Sequence, residues 1–179
     1  MLSPDTKSGT VFWITGLSGT GKTTLAELLV PALRKRGRAS VLLDGDMLRA
    51  ILGRAAGSYD SAARRELAFV YARLAHALAM QGIDTVCATI SMFDAVREWN
   101  RTNNASYVEI YLDVALAERV RRDPKGIYAR AQAGAEAAVP GFDDAFEAPK
   151  APDLVFGPAP LPAPDACVAA ILAWLDRQA

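Results

Sequence analysis

Val11-Phe-Trp-Ile-Thr-Gly-Leu-Ser-Gly-Thr-Gly-Lys-Thr-Thr24 runs from an apolar stretch through a glycine-rich turn into helix-forming sequence. Gly16, Gly21, Lys22 and Thr23 fill the fixed positions of G-x-x-x-x-G-K-[ST]. Val11, Phe12, Trp13 and Ile14 read as a parallel strand buried on both faces. Thr24-Leu-Ala-Glu-Leu-Leu-Val30 reads as the helix that follows. The order has a physical purpose. The strand brings the chain to the sheet edge, glycines let backbone N–H groups curl around an anion, and the helix N-terminus adds partial positive charge. Gly16, Leu17, Ser18, Gly19, Thr20, Gly21, Lys22, Thr23 and Thr24 are therefore the expected cradle of a nucleoside triphosphate. Lys22 reaches its β- and γ-phosphates, and the Thr23 hydroxyl ligates Mg²⁺. The competing reading is a Gly-rich strand-to-helix turn that binds nothing, and the strand before the loop and the helix after it argue against that.

Composition bounds the rest. The chain has 179 residues, 51% of them hydrophobic, enough for one domain that buries roughly 70% of its unfolded surface. Twenty basic and twenty acidic residues cancel, which argues against a nucleic-acid or membrane-binding face. Cys87 and Cys167 show no zinc spacing, and Cys87, in an apolar run, reads as a buried free thiol. The first ten residues lack the apolar core of a secretion signal, and no apolar run is long enough to cross a bilayer. The expectation is a cytoplasmic protein.

Strands and helices alternate, which predicts an α/β fold: a doubly wound parallel β-sheet of the P-loop nucleotide-kinase type in three α/β/α layers. After the helix near 22–36, Gly37 marks a C-cap and Ser40-Val-Leu-Leu43 a second strand. A short helix near 46–52 and a long one over 60–81 follow; the long helix buries Ala68, Tyr71, Ala72, Ala75 and Leu78. Ile83–Ala88 and Tyr107–Leu112 are strands, separated by a helix near 94–101. Another helix covers about 115–122. Periodicity then fades, so about 123–152 reads as a lid. Asp153–Phe156 is a last strand, 158–164 a Pro-rich linker, and a helix closes the chain. Residues 1–9 are expected as a tail and 10–179 as one domain.

A second chemical site sits where the second strand ends, at Leu43-Asp44-Gly45-Asp46. Ligands of parallel α/β sheets gather at the carboxyl ends of the strands. If the chain stays extended there, Asp44 and Asp46 point the same way into one cavity. One carboxylate then serves Mg²⁺ and the other aims an attacking hydroxyl, which suits a transition state in which the proton leaves late. Arg49, one helical turn beyond Asp46, is placed to grip an anion on the acceptor. The competing reading is an Asp-Gly turn with a capping aspartate. Arg122 is the preferred arginine for charge over the γ-phosphate, and Arg119 the second choice. His76 has no metal-ligand spacing around it and reads as a structural helix residue.

These residues and the segments Ile90-Ser91, Arg122-Asp-Pro-Lys-Gly-Ile-Tyr-Ala-Arg130 and Phe146-Glu-Ala-Pro-Lys-Ala-Pro-Asp-Leu154 resemble the adenylyl-sulfate kinase family, in that family's order. The resemblance implies transfer of the γ-phosphoryl of ATP, with Mg²⁺, to the 3′-hydroxyl of adenosine 5′-phosphosulfate. It further implies a homodimer acting on a small nucleotide. Carried over, Lys22, Asp44, Asp46, Ser91 and Arg122 are catalytic, and Thr23 and Asp44 serve the metal. Asp46, Arg49, Tyr59, Arg64, Ile90, Ser91 and Lys125 face the acceptor.

The departures cluster on the acceptor side. Where the family carries Gly-Phe-Ser this chain has Ala56-Gly-Ser-Tyr-Asp60, which leaves only Tyr59 to cover the base. The Asn-Ile-Arg-Arg run is replaced by Ala63-Arg64-Arg65-Glu66, and the proline after Ile90-Ser91 by Met92-Phe93. Ala137-Ala-Val-Pro-Gly141 stands where a Lys-x-Phe-Thr-Gly usually stacks on the base; each such stack is worth about 1–3 kcal/mol. Tyr59-Asp60 with Arg64, Gln81-Gly82, Thr89-Ile-Ser-Met-Phe93 and Trp99-Asn-Arg101 resemble a branch that includes cytidine diphosphoramidate kinase, which phosphorylates a cytidine 3′-hydroxyl. A third reading is a nucleotide-binding protein without turnover. The guanine-reading Asn-Lys-x-Asp pattern of GTPases is missing.

Overall fold

A computed structural model describes residues 7–52, 61–123, 126, 128, 146–158 and 161–178. Five parallel strands form one sheet in the order β2-β3-β1-β4-β5: β1 Val11–Thr15, β2 Ser40–Asp44, β3 Asp84–Ala88, β4 Tyr107–Leu112 and β5 Leu154–Phe156. Between and after them run α1 Lys22–Lys35, α2 Gly45–Leu52, α3 Ser61–Ala79, α4 Asp94–Asn103, α5 Leu116–Arg122 and α6 Pro164–Asp176. The doubly wound three-layer expectation is met.

All five residues of β1 are buried because both faces of the central strand are covered. The two-residue period of a strand divides them. Phe12 and Ile14 join one core with α1 and α6, through Leu25, Leu29, Leu33 and Ile171. Val11 and Trp13 join the other with α3 and α4, through Tyr71, Ala72, Ala75 and Val96. Alanines at helical spacing on α3 let it approach the sheet closely, and Trp13 fills the remaining space. Each large side chain buried this way contributes about 1.5–3 kcal/mol. Leu78 is only partly buried, and Ala79 takes the inward position.

The amino ends of the strands are closed by Asp84. Its Oδ1 accepts the Thr10 N–H at 2.9 Å and Arg38 Nη2 at 2.7 Å, while its Oδ2 accepts Arg38 Nε. The Gly9 N–H donates to the Ala79 carbonyl at 2.8 Å, so the last residue of the expected tail is already tied to the body.

At the other end of the chain's expected lid, the return segment is fastened to α4. The Glu147 N–H donates to the Met92 carbonyl at 3.2 Å, and the Glu147 carboxylate accepts the Asp94 N–H. Arg97 donates to the Glu147 carbonyl at 2.8 Å, and Arg101 to that of Ala151 at 2.8 Å. Both arginines also pair with the buried Glu109. His76 bonds the Asn104 side chain and meets Trp99 edge-on, a structural role as expected. Cys87 and Cys167 are free and buried.

Candidate active site

The phosphate loop leaves β1 at Gly16, where a Cβ would meet the Leu112 carbonyl at 2.8 Å and the backbone has φ +149°. Only glycine fits there, because the loop starts hard against the end of β4. Gly21 follows at φ +94° and hands the chain to α1. Inside the loop the Leu17 carbonyl accepts two side chains, Thr20 Oγ1 at 2.9 Å and Lys22 Nζ at 2.8 Å. The lysine is thus folded over the loop that an anion would occupy.

Across the loop stands Asp44, the last residue of β2. Its Oδ2 accepts the Thr23 hydroxyl at 2.8 Å. Its Oδ1 accepts the N–H of Asp46 at 2.9 Å and of Met47 at 3.4 Å, which caps α2. The chain does not stay extended past Asp44, as the two-residue argument required; α2 begins at once with Gly45. Asp44 and Asp46 nevertheless line one cavity, brought there by the strand-to-helix turn. The capping reading of Asp-Gly-Asp is met, and the residue that caps α2 also lines the cavity. Asp46 pairs with Arg49 one turn along.

That cavity has a volume of about 240 Å³ and is lined by Ser18, Gly19, Gly21, Lys22, Thr23, Thr24, Asp44, Asp46, Arg49, Ile90, Asp123 and Tyr128, among others. Thr23 and Asp44 offer hard oxygen donors of the kind Mg²⁺ takes beside phosphate oxygens. The donor set fits the metal.

Other expected residues lie elsewhere. Ser91 is buried with its hydroxyl 2.6 Å from that of Thr89, and among the described residues it does not line the cavity. Its neighbour Ile90 does, and the Ile90 carbonyl accepts the Thr15 hydroxyl at 2.6 Å. Arg64 is half-buried in the first turn of α3, outside the cavity lining. Tyr59 and Lys125 lie outside the described residues.

Arg122 does not line the cavity shared by Asp44 and Asp46. It bonds Glu118 at 2.7 Å and lines a smaller cavity of about 130 Å³ with Thr20, Gly21, Thr24, Leu25, Leu112, Leu161, Pro162, Pro164 and Cys167. Sequence reading missed this second cavity, because its far wall belongs to the stretch taken as a Pro-rich linker. Prolines in a linker and prolines in a wall look alike until β5 is placed. Arg119 is buried between Val114 and Tyr128.

A strand, glycine loop and helix with lysine and threonine in place, facing two aspartates at a parallel sheet's carboxyl edge, define a P-loop kinase. The pattern of the adenylylsulphate kinase family matches residues 8–157, and the chain belongs to that family. It is an ATP- and Mg²⁺-dependent phosphotransferase with an alcohol group as acceptor, and it acts on a small nucleotide. An adenylyl-sulfate kinase of Aeromonas salmonicida is 42% identical over 146 residues, which cover 80% of this chain and 74% of that protein. A cytidine diphosphoramidate kinase of Campylobacter jejuni is 39% identical over 145 residues, covering 81% and 84%. The structure of the Mycobacterium tuberculosis APS kinase CysC in complex with AMPPNP and APS superposes with a TM-score of 0.87 at 33% identity, over 94% of this chain and 98% of that one. No helix among the described residues is long and apolar enough to cross a membrane.

Proposed function

We propose that the protein transfers the γ-phosphoryl of ATP to the 3′-hydroxyl of adenosine 5′-phosphosulfate. The observation that carries this is one cavity that Lys22, Thr23, Asp44, Asp46 and Arg49 all line; in this reading the first three serve the phosphoryl donor and the last two the acceptor. Lys22 leaves the Leu17 carbonyl for the β- and γ-phosphates. Thr23 and Asp44 hold Mg²⁺, which when bound neutralises charge between those phosphates. Asp46 accepts a hydrogen bond from the acceptor hydroxyl and takes its proton late. That oxygen bonds to the γ-phosphorus as the bond to the bridging oxygen of ADP breaks. Arg49 receives the acceptor's anionic group, with Ile90 on the cavity wall; Tyr59, Arg64 and Lys125 complete the acceptor side, and Ser91 supports the turn after β3. Arg122, on the wall of the adjoining cavity beside Thr20, Gly21 and Thr24, supplies positive charge to the ATP that the loop carries. A homodimer in the cytoplasm belongs to the same proposal and rests on the family resemblance.

A second reading has its own support. The acceptor-side departures, Met92-Phe93 and Ala63-Arg64-Arg65 foremost, fit a cytidine diphosphoramidate acceptor, and a kinase of that name is 39% identical. Mass spectrometry of products from Mg-ATP with each nucleotide separates the two. A 3′-phosphorylated adenylyl sulfate supports the first reading. Turnover of the cytidine nucleotide alone replaces it with the second, and ADP release with neither overturns both.

A further inference from the structure

Tyr128 is almost wholly buried, yet it lines the phosphate cavity. Arg119 Nη1 donates to its hydroxyl at 2.5 Å. A guanidinium can only donate, so the hydroxyl accepts there, and its own proton goes to the Ser18 carbonyl at 2.9 Å. Burial pushes the phenol above its ordinary pKa, which keeps that proton in place at neutral pH. Arg119 is fixed in turn by its Nε, which donates to the Val114 carbonyl at 3.0 Å. The Asp123 carboxylate accepts the Tyr128 N–H at 3.2 Å. On the other side of the loop, a Cβ on Gly19 would come within 3.2 Å of the Arg119 carbonyl. The Ser18–Gly19 peptide is therefore held by a hydroxyl on its oxygen, with the backbone of α5 packed close against Gly19.

A peptide group is planar and trans, so fixing the direction of its carbonyl also fixes that of its N–H. An anion cradle works only if its N–H groups are aimed before the anion arrives. We propose that Tyr128, held by Arg119, is a positioning residue for the phosphate loop: it sets the Ser18–Gly19 peptide so that the Gly19 N–H meets the triphosphate. The loop's other restraint differs in kind. Lys22 and Thr20 hold the Leu17 carbonyl from within, and Lys22 gives up that bond when it turns to the phosphates. The bond from Tyr128 comes from outside the loop and, on this proposal, is kept when the nucleotide binds.

Tyr128→Phe keeps the buried ring and removes the relay. Isothermal titration well below the melting temperature, with Mg-ATP and separately with Mg-ADP, reads the consequence without any acceptor. The proposal expects the Kd for both to rise about three- to tenfold, the range of one net hydrogen bond. Arg119→Gln in the Tyr128→Phe background should add less than twofold, since both act through one peptide. If the double variant does not fold, Tyr128→Phe alone decides. A lowered Tm with both Kd values unchanged within twofold would assign Tyr128 to packing only and overturn the proposal.

Discussion

Asp84 and Asp44 stand at opposite ends of neighbouring strands, one at the start of β3 and the other at the end of β2. Asp84 is buried and both its oxygens are spent on Arg38 and Thr10. Asp44 caps α2 with one oxygen and faces the cavity with the other, where its partner is the hydroxyl of Thr23. A hydroxyl that donates to a carboxylate can turn and give both oxygens to a cation, whereas an arginine cannot. The first aspartate has its charge answered within the fold; the second is answered only in part, which is what a ligand site requires. Parallel strands impose this polarity, because their carboxyl ends open onto the loops that vary.

The largest effect should come from breaking the closed end. Asp84→Ala leaves Arg38 without its carboxylate and the Thr10 N–H without an acceptor. Loss of one member of a buried pair costs about 3–5 kcal/mol. Arg38 is 34% exposed and can turn to water, which places the loss near 3 kcal/mol. Urea unfolding should show it as a shifted midpoint, while KM and kcat of the folded variant stay within about twofold of the parent. A variant of parental stability would mean that this end of the sheet is held by something else.

Asp44→Asn tests the open end. Asparagine keeps an oxygen for the α2 cap but loses the charge beside Thr23. The expectation is a fall in kcat of about a hundredfold, in the range of one lost electrostatic contact to a transition state, with ATP affinity changed far less. Stability should hold within about 0.5 kcal/mol, because an amide oxygen caps nearly as well as a carboxylate. Equal losses of ATP affinity and kcat would remove the distinction between the two aspartates.

How far the sequence led depends on how local each signal is. The loop is a contiguous pattern, and every residue from Gly16 to Thr24 sits where the pattern put it. Asp44 was legible for the same reason, although the argument from extended geometry failed at Gly45, where α2 takes over. The strands of the sheet follow from buried apolar runs, and Tyr107–Leu112 was found at its observed bounds. The arginines of α5 were harder. Arg119 and Arg122 lie three residues apart in a run of like charges, and nothing local says which is buried. The choice is made by Tyr128, which arrives from beyond the helix, and by Leu161 and Pro162 from the far side of β5.

The smallest predicted effect separates those two arginines. Hydrogen bonds from Arg121 and then Arg122 hold the Glu118 carboxyl down to about 2, although all three side chains meet water. A carboxyl depressed in the folded state adds stability above its unfolded pKa of about 4.3. That contribution is lost as pH falls from there through about 2. Exposed pairs contribute little even when well formed. Glu118→Gln should therefore lower Tm only slightly at pH 7, and the gap to the parent should narrow steadily as pH falls from about 4.3 to about 2. It should also leave the Kd for Mg-ATP within about twofold, because Glu118 lines neither cavity. The same titration on Tyr128→Phe reads a larger loss if α5 acts on the loop through Arg119. A Glu118→Gln loss as large as that of Tyr128→Phe would instead put the exposed arginines in control of the nucleotide, and the buried one would be packing.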